Sequence, residues 1–101
     1  MLTLASGIEI PSQEIAELCR RYQVRELAIF GSAARGDMNS GSDIDIMVEF
    51  QPDANTGSEF FELEEGLARI FGKKVDLETK RSLKPWVRPS ALREALVIYE
   101  A

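Results

Sequence analysis

The chain has 101 residues, a formal net charge of −5, a single cysteine and no histidine. This length suits one modest hydrophobic core, so we expect a single domain over residues 1–101, in which residues 1–10 are the poorly ordered part. The composition excludes an internal disulfide, a thiol–imidazole dyad and a zinc site containing histidine. Because no apolar run approaches the roughly 18 residues of a bilayer span and no secretion leader is visible, we expect no membrane insertion and a cytoplasmic location.

The first half of the chain predicts a helix followed by a buried strand. Residues 1–10 alternate weakly and fit either a frayed edge strand or a tail. An amphipathic helix is predicted after Pro11, with Cys19 on its buried stripe as a core residue rather than a reactive thiol, since no nearby base would lower its pKa. The apolar run Leu27–Phe30 predicts a central strand that ends at Gly31.

The second half predicts two more strands between helices. A strand is expected over residues 43–50, and a helix that starts near Ser58 and stops at Gly72 follows it. Residues 75–79 predict a third strand, residues 90–96 a short helix and residues 97–99 a final edge strand. The charges are unevenly spread, because acidic residues crowd the 59–65 helix whereas lysine and arginine crowd residues 73–88. The basic segment is a candidate contact for a partner or a phosphate, or an ordinary solvated surface.

Two aspartates form the most informative local pattern. Side chains alternate across a strand, so Asp43 and Asp45 share one face while the apolar residues of the same strand share the other. In the third strand, inward Val75 and Leu77 leave Asp76 facing outward. Aspartate is disfavoured in strands, so this pattern needs a cause, although a Gly/Ser/Asn loop followed by two solvated aspartates remains the plain alternative.

A metal site would explain the aspartates if the two strands lie side by side. Three converging carboxylates repel one another unless a cation sits among them. Hard oxygen ligands without histidine or thiolate favour Mg²⁺, or Mn²⁺, and suit phosphoryl or nucleotidyl transfer. Upstream, Gly31 permits close backbone approach, and Ser32 together with the N–H groups of a following helix could bind an anion.

Two other phosphate- or metal-binding motifs fail on spacing. Gly31 and Gly36 have the glycine spacing of a Walker A loop, but Asp37 and Met38 occupy the positions that require Lys and Ser/Thr. An EF-hand loop starting at Asp37 lacks its glycine at position 42 and its glutamate at position 48.

Three segments form a recognisable series: Gly31-Ser32-Ala33-Ala34-Arg35-Gly36, Ser42-Asp43-Ile44-Asp45-Ile46 and Lys74-Val75-Asp76-Leu77. Together they resemble the signature of the polymerase-beta-type nucleotidyltransferase superfamily, and more narrowly its minimal members, the MNT proteins paired with HEPN-domain toxins. The resemblance implies an α/β (α+β) fold with a small mixed sheet flanked by helices, and it implies Mg²⁺ and a nucleoside triphosphate, with ATP as substrate.

The same resemblance assigns roles to individual residues. Asp43, Asp45 and Asp76 would be the catalytic and metal-binding residues, with Asp76 also the base toward the acceptor hydroxyl. Gly31, Ser32 and Ser42 belong to the implied nucleotide-binding motif. Arg35 would either reach a phosphate or pair with Asp37.

The implied reaction is transfer of AMP from ATP to a tyrosine of a HEPN toxin, by an antitoxin that belongs to a toxin–antitoxin pair. The second domain of larger relatives is missing, so a partner would have to complete the cleft, and nucleic acid is not the expected substrate. Two alternatives stay open: a non-catalytic module that neutralises its partner by contact, and a transferase acting on a small molecule or an RNA end.

Overall fold

The computed structural model describes residues 2–4, 7–36, 41, 43–54 and 56–101. The strands and helices follow one another in the order β1 (Leu2–Thr3), β2 (Glu9–Ile10), α1 (Ser12–Arg21), β3 (Val24–Phe30), α2 (Ser32–Arg35), β4 (Ile44–Phe50), α3 (Ser58–Phe71), β5 (Val75–Thr79), α4 (Arg88–Glu94) and β6 (Leu96–Glu100). A single 3-10 turn over Lys80–Ser82 follows β5. No helix in these ranges is both long and apolar enough to cross a bilayer.

Four strands form one mixed sheet in the order β5-β4-β3-β6. Strand β3 runs antiparallel to both β4 and β6, whereas β4 and β5 are parallel. Parallel neighbours need a crossover, and α3 provides it. The small mixed sheet flanked by helices, expected from the resemblance, is therefore confirmed.

One face of the sheet carries the main hydrophobic core. The alternate residues of β3, β4 and β5 that point to this face are fully or almost fully buried, together with residues of α1 and α3. The set includes Ile15, Cys19, Leu27, Ile29, Ile44, Ile46, Val48, Leu63, Leu67, Val75 and Leu77. Helices α1 and α3 thus cover this face, because their apolar stripes need a partner surface.

The opposite face is only partly covered. A smaller cluster of Ala28, Phe30, Met47, Leu83 and Ala91 packs beneath α4 and the segment before it. Strand alternation puts Asp45 on this second face, two residues before Met47. The polar end of the face, beyond the cover of α4, is where the candidate site lies.

Most predicted elements are confirmed, with shifted ends. Gly57 is the N-cap of α3, so Ser58 is its first helical residue rather than its cap. Helix α4 ends at Glu94, and Leu96 already belongs to β6, which is an edge strand as predicted. Near the N-terminus, β1 and β2 pair antiparallel, and both Leu4 and Ile10 are buried in the main core.

Candidate active site

The parallel pairing of β4 and β5 places two of the predicted aspartates side by side. Asp45 and Asp76 lie directly opposite each other in the pairing of β4 with β5, and the next pair on the same face is Met47 with Glu78. Asp43 immediately precedes β4, and the N–H of Ile44 donates to the carbonyl of Lys74 at 3.0 Å, which continues the ladder to that end. The two motifs, far apart in sequence, therefore meet at one end of the sheet.

The glycine–serine turn lies against the same carboxylates. Strand β3 ends at Phe30, the register partner of Asp45, and Gly31 then turns the chain with φ +73° and ψ −151°. Its carbonyl accepts hydrogen bonds from the N–H groups of Ala34 (3.1 Å) and Arg35 (3.0 Å), which close the short helix α2. A Cβ on Gly31 would collide with the Asp45 carboxylate. Only glycine therefore allows the turn to approach Asp45 this closely.

Burial and like charges raise two carboxyl pKa values at this face. The pKa of Asp45 is raised first by burial and then by the charges of Asp76, Asp43 and Glu78, while Arg35 opposes the shift. The pKa of Glu78 is raised by burial and by Asp76, while Lys84 opposes it. A cation placed among these groups would relieve the repulsion.

Two ion pairs border the carboxylates. The Lys74 ammonium lies 3.9 Å from Oδ2 of Asp43, and its side chain is 81% exposed, so this contact is loose. On the other side, Nη1 of Arg35 donates to Oε2 of Glu94 at 3.0 Å and ties α2 to the end of α4. The alternative pairing of Arg35 with Asp37 lies outside the described residues, as does Ser42.

The edge strand that carries Asp76 is held by a glutamate of α3. The backbone N–H of Leu77 donates to Oε2 of Glu64 at 2.9 Å. This hydrogen bond gives a partner to a donor that an edge strand would otherwise expose, and it fixes the residue next to Asp76. Neither Glu64 nor Glu94 was predicted from the sequence as part of the site. Their partners lie 13 and 59 residues away, and no local pattern indicates such contacts.

The donor chemistry of the site fits a hard divalent cation. Asp43, Asp45 and Asp76 offer only carboxylate oxygens, the ligands that Mg²⁺ and Mn²⁺ prefer. Within the described ranges, however, no three acidic side chains stand close enough together to form a complete metal-binding group. Mg²⁺ is usually held by one or two carboxylates together with water and substrate phosphates, and the assignment of these aspartates as metal ligands stays a prediction.

Sequence comparison identifies relatives along almost the whole chain. The profile of the family described as nucleotidyltransferase domain matches residues 12–99. The protein adenylyltransferase MntA of Thermococcus cleftensis is 40% identical over 98 residues, which cover 97% of this chain and 98% of that protein.

Solved structures share the fold. A protein provisionally assigned as a minimal nucleotidyltransferase superposes with a TM-score of 0.71 at 32% identity, covering 84% of this chain and 86% of that one. A chain from the complex of a tri-AMPylated HEPN toxin of Shewanella oneidensis with an MNT antitoxin superposes with a TM-score of 0.62, over 89% of this chain and 70% of that one. At 23% identity this second likeness concerns the fold alone.

Proposed function

Because this chain belongs to the nucleotidyltransferase family and is a nucleotidyltransferase, we propose that it transfers AMP from ATP to a tyrosine hydroxyl of a HEPN-domain toxin. It would thereby act as the antitoxin of the pair, in the cytoplasm where ATP is available. The similarity to the adenylyltransferase MntA supports the reaction class. The likeness in fold to an MNT antitoxin solved with its AMPylated HEPN toxin supports the choice of partner.

One observation carries the proposal: the parallel register that pairs Asp45 with Asp76. It brings carboxylates from two distant motifs to one end of the sheet, next to the turn at Gly31. A carboxylate pair beside a tight glycine turn is what a triphosphate with its counter-cations requires.

In the proposed reaction, the acceptor oxygen forms a bond to the α-phosphorus of ATP. The bond between the α-phosphorus and its bridging oxygen to the β-phosphorus breaks, and pyrophosphate leaves. The proton of the acceptor hydroxyl passes to the Asp76 carboxylate, which is exposed and can be reached by a partner's side chain. Pyrophosphate departs with the electron pair of the broken bond, so atoms and charge balance.

The remaining residues position the nucleotide. Asp43, Asp45 and Asp76 would hold a divalent cation, which when bound stabilises negative charge on the phosphates. Gly31 gives the triphosphate access to the backbone, while Ser32 and Ser42 would donate hydroxyl hydrogen bonds. Arg35 would add a charge-assisted hydrogen bond to a phosphate oxygen.

The test is intact-mass analysis of a purified HEPN-domain protein from the same genome after incubation with this protein, ATP and Mg²⁺. We expect a mass gain of one AMP per transfer, lost in Asp45→Asn and Asp76→Asn and on chelation of the metal. Glu49→Gln is the matched control, because it removes a carboxylate from the same face of β4 at the opposite end. Transfer that persists in both aspartate variants would contradict the site assignment.

Two companion measurements separate the alternatives. If size-exclusion chromatography shows a stable complex whose partner has no mass change, neutralisation is by contact. If radiolabelled ATP transfers its label to a small molecule or an RNA when no protein acceptor is present, the substrate belongs to that class.

A further inference from the structure

The segment 80–93 has a charge opposite to that of the chain. It contains five of the twelve lysines and arginines and no acidic residue, although the whole chain has a net charge of −5. Four of these five cations are exposed, and Lys80 is half-buried. Such a concentration on an acidic protein favours association with a negatively charged surface.

The same part of the molecule carries exposed apolar side chains. Five large hydrophobic residues are exposed among those the structure describes, and four of them lie between positions 86 and 97. They are Trp86 (75% exposed), Leu92 (48%), Leu96 (39%) and Val97 (50%). Exposed tryptophan and arginine are the residue types most enriched at the energetic centres of protein interfaces. The register of β6 with β3 puts Val97 beside Ala28, on the face that α4 packs against, and Leu96 beside Ile29, on the other face. We therefore call the cations of 80–93 together with Trp86, Leu92 and Val97 the 80–97 surface.

Part of this surface is concave and fixed in shape. Lys80, Arg81, Arg88 and Leu92 line an open depression of about 190 Å³. Arg88 donates from Nη2 to the carbonyls of Lys80 (3.0 Å) and Arg81 (3.1 Å), and Lys80 pairs with Glu26. In the same segment of the chain, the Lys84 ammonium lies 5.5 Å from the centre of the Trp86 ring. A surface held by such contacts loses little conformational entropy when a partner binds.

Both ends of the surface adjoin the candidate site. At one end, the turn Lys80–Ser82 follows directly after β5, the strand that carries Asp76. At the other, Glu94 of α4 holds Arg35, next to the turn at Gly31. A protein seated on the surface would therefore present its neighbouring residues to the carboxylates.

We propose that the 80–97 surface is where the protein acceptor docks, and that the acceptor contributes a surface of carboxylates around an apolar centre. The inference rests on the proposed function for the identity of the occupant. A folded protein is favoured over a nucleic acid because the exposed Leu92 and Val97 gain nothing from phosphates, whereas a protein partner would bury them.

Dissociation constants for purified HEPN-domain proteins of the same genome test the proposal. We expect Trp86→Ala to weaken binding about tenfold or more, as loss of a central aromatic anchor does. Lys84→Glu and Arg81→Glu should weaken it several-fold and reduce the dependence of the association rate on salt. Matched controls are Phe61→Ala, which removes an aromatic ring of similar exposure from α3, and Arg21→Glu, which reverses a charge on α1 across the sheet. Both should change binding less than twofold, and thermal unfolding should show every variant folded.

The outcomes separate docking from catalysis when AMP transfer is measured in parallel. If binding depends on the surface but no AMP is transferred, docking stands and the proposed reaction fails. If AMP is transferred and the surface variants bind like wild type, docking is overturned and the reaction stands. Absence of wild-type binding to every such protein also overturns docking.

Two further measurements would detect a different ligand on the 80–97 surface. Binding of a 20-nucleotide single-stranded RNA that is tighter than protein binding and is lost in the same variants would overturn the proposal in favour of RNA. A wild-type dimer in sedimentation that dissociates in Trp86→Ala would overturn it in favour of a second copy of this chain.

Discussion

Gly31 and Asp45 are packed so that the carboxylate of Asp45 occupies the space a side chain on Gly31 would need. The contact joins the end of β3 to the start of β4, the two strands that carry the glycine–serine turn and the first aspartates. The conformation of Gly31, at φ +73° and ψ −151°, is one that essentially only glycine adopts. The geometry of the turn and the position of the carboxylate are therefore mutually dependent.

Gly31→Ala should both destabilise the fold and displace Asp45. We expect a cost of about 1–3 kcal/mol from backbone strain, and a loss of AMP transfer because the carboxylate must move. Gly72→Ala is the matched control, since Gly72 also has positive φ (+66°) but a Cβ there meets nothing within 4 Å. It should cost about 1 kcal/mol in urea unfolding and leave transfer intact. Equal loss of transfer in both variants would show that strain alone is responsible.

Asp45→Asn should stabilise the metal-free protein while abolishing transfer. Burial and three like charges raise the pKa of Asp45, so its ionised form destabilises the fold at neutral pH, and the neutral amide removes that effect. Because the site is partly exposed, we expect the free energy of unfolding in EDTA to be higher in Asp45→Asn by only a few tenths to about 1 kcal/mol.

The pH dependence gives the sign of the Asp45 effect. As the pH falls through the raised pKa of Asp45, the wild-type carboxyl becomes neutral like the amide of Asp45→Asn. The difference in unfolding free energy between the two proteins should therefore disappear in acid. Added Mg²⁺ should raise the melting temperature of wild type more than that of Asp45→Asn. If Asp45→Asn were less stable than wild type at pH 7 in EDTA, the like charges around Asp45 would not be destabilising the fold.

Glu64→Ala should loosen β5 and with it Asp76. The carboxylate accepts the N–H of Leu77, and removal of a charged acceptor from a partly buried donor costs about 1–3 kcal/mol. Amide exchange at Leu77 should accelerate and AMP transfer should fall. The neighbouring Glu65→Ala breaks only the exposed pair with Arg69 and should cost at most about 0.5 kcal/mol. Unchanged exchange at Leu77 in Glu64→Ala would rule out the proposed anchoring.

Cys19 should be unreactive in the folded protein. The thiol is buried, and burial raises its pKa to about 12, so almost no thiolate forms even at pH 9. We expect no reaction with a chromogenic disulfide reagent until denaturant unfolds the chain, after which one thiol should react. Rapid native-state labelling would show that α1 opens from the sheet.

The sequence by itself determined the local chemistry of the site. Alternation in a strand is enough to put Asp43 and Asp45 on one face, and the apolar spacing of α1 is enough to bury Cys19. These features depend on the repeats of a strand (two residues) and of a helix (3.6 residues), which the spacing of apolar and polar residues in this sequence matches. The order of the three motifs also carried the resemblance to nucleotidyltransferases.

Only the tertiary structure decided which distant residues meet. That β5 lies beside β4 with Asp76 opposite Asp45, that Glu64 holds Leu77, and that Glu94 holds Arg35 all follow from strand pairing and from the packing of α3 and α4. Likewise, the sequence marked residues 73–88 as basic, but only the fold places Lys74 at Asp43 and joins α4, through Glu94, to Arg35 after the turn at Gly31. Such contacts join residues far apart in the chain, and their geometry is fixed by burial of the shared core, which no local pattern encodes.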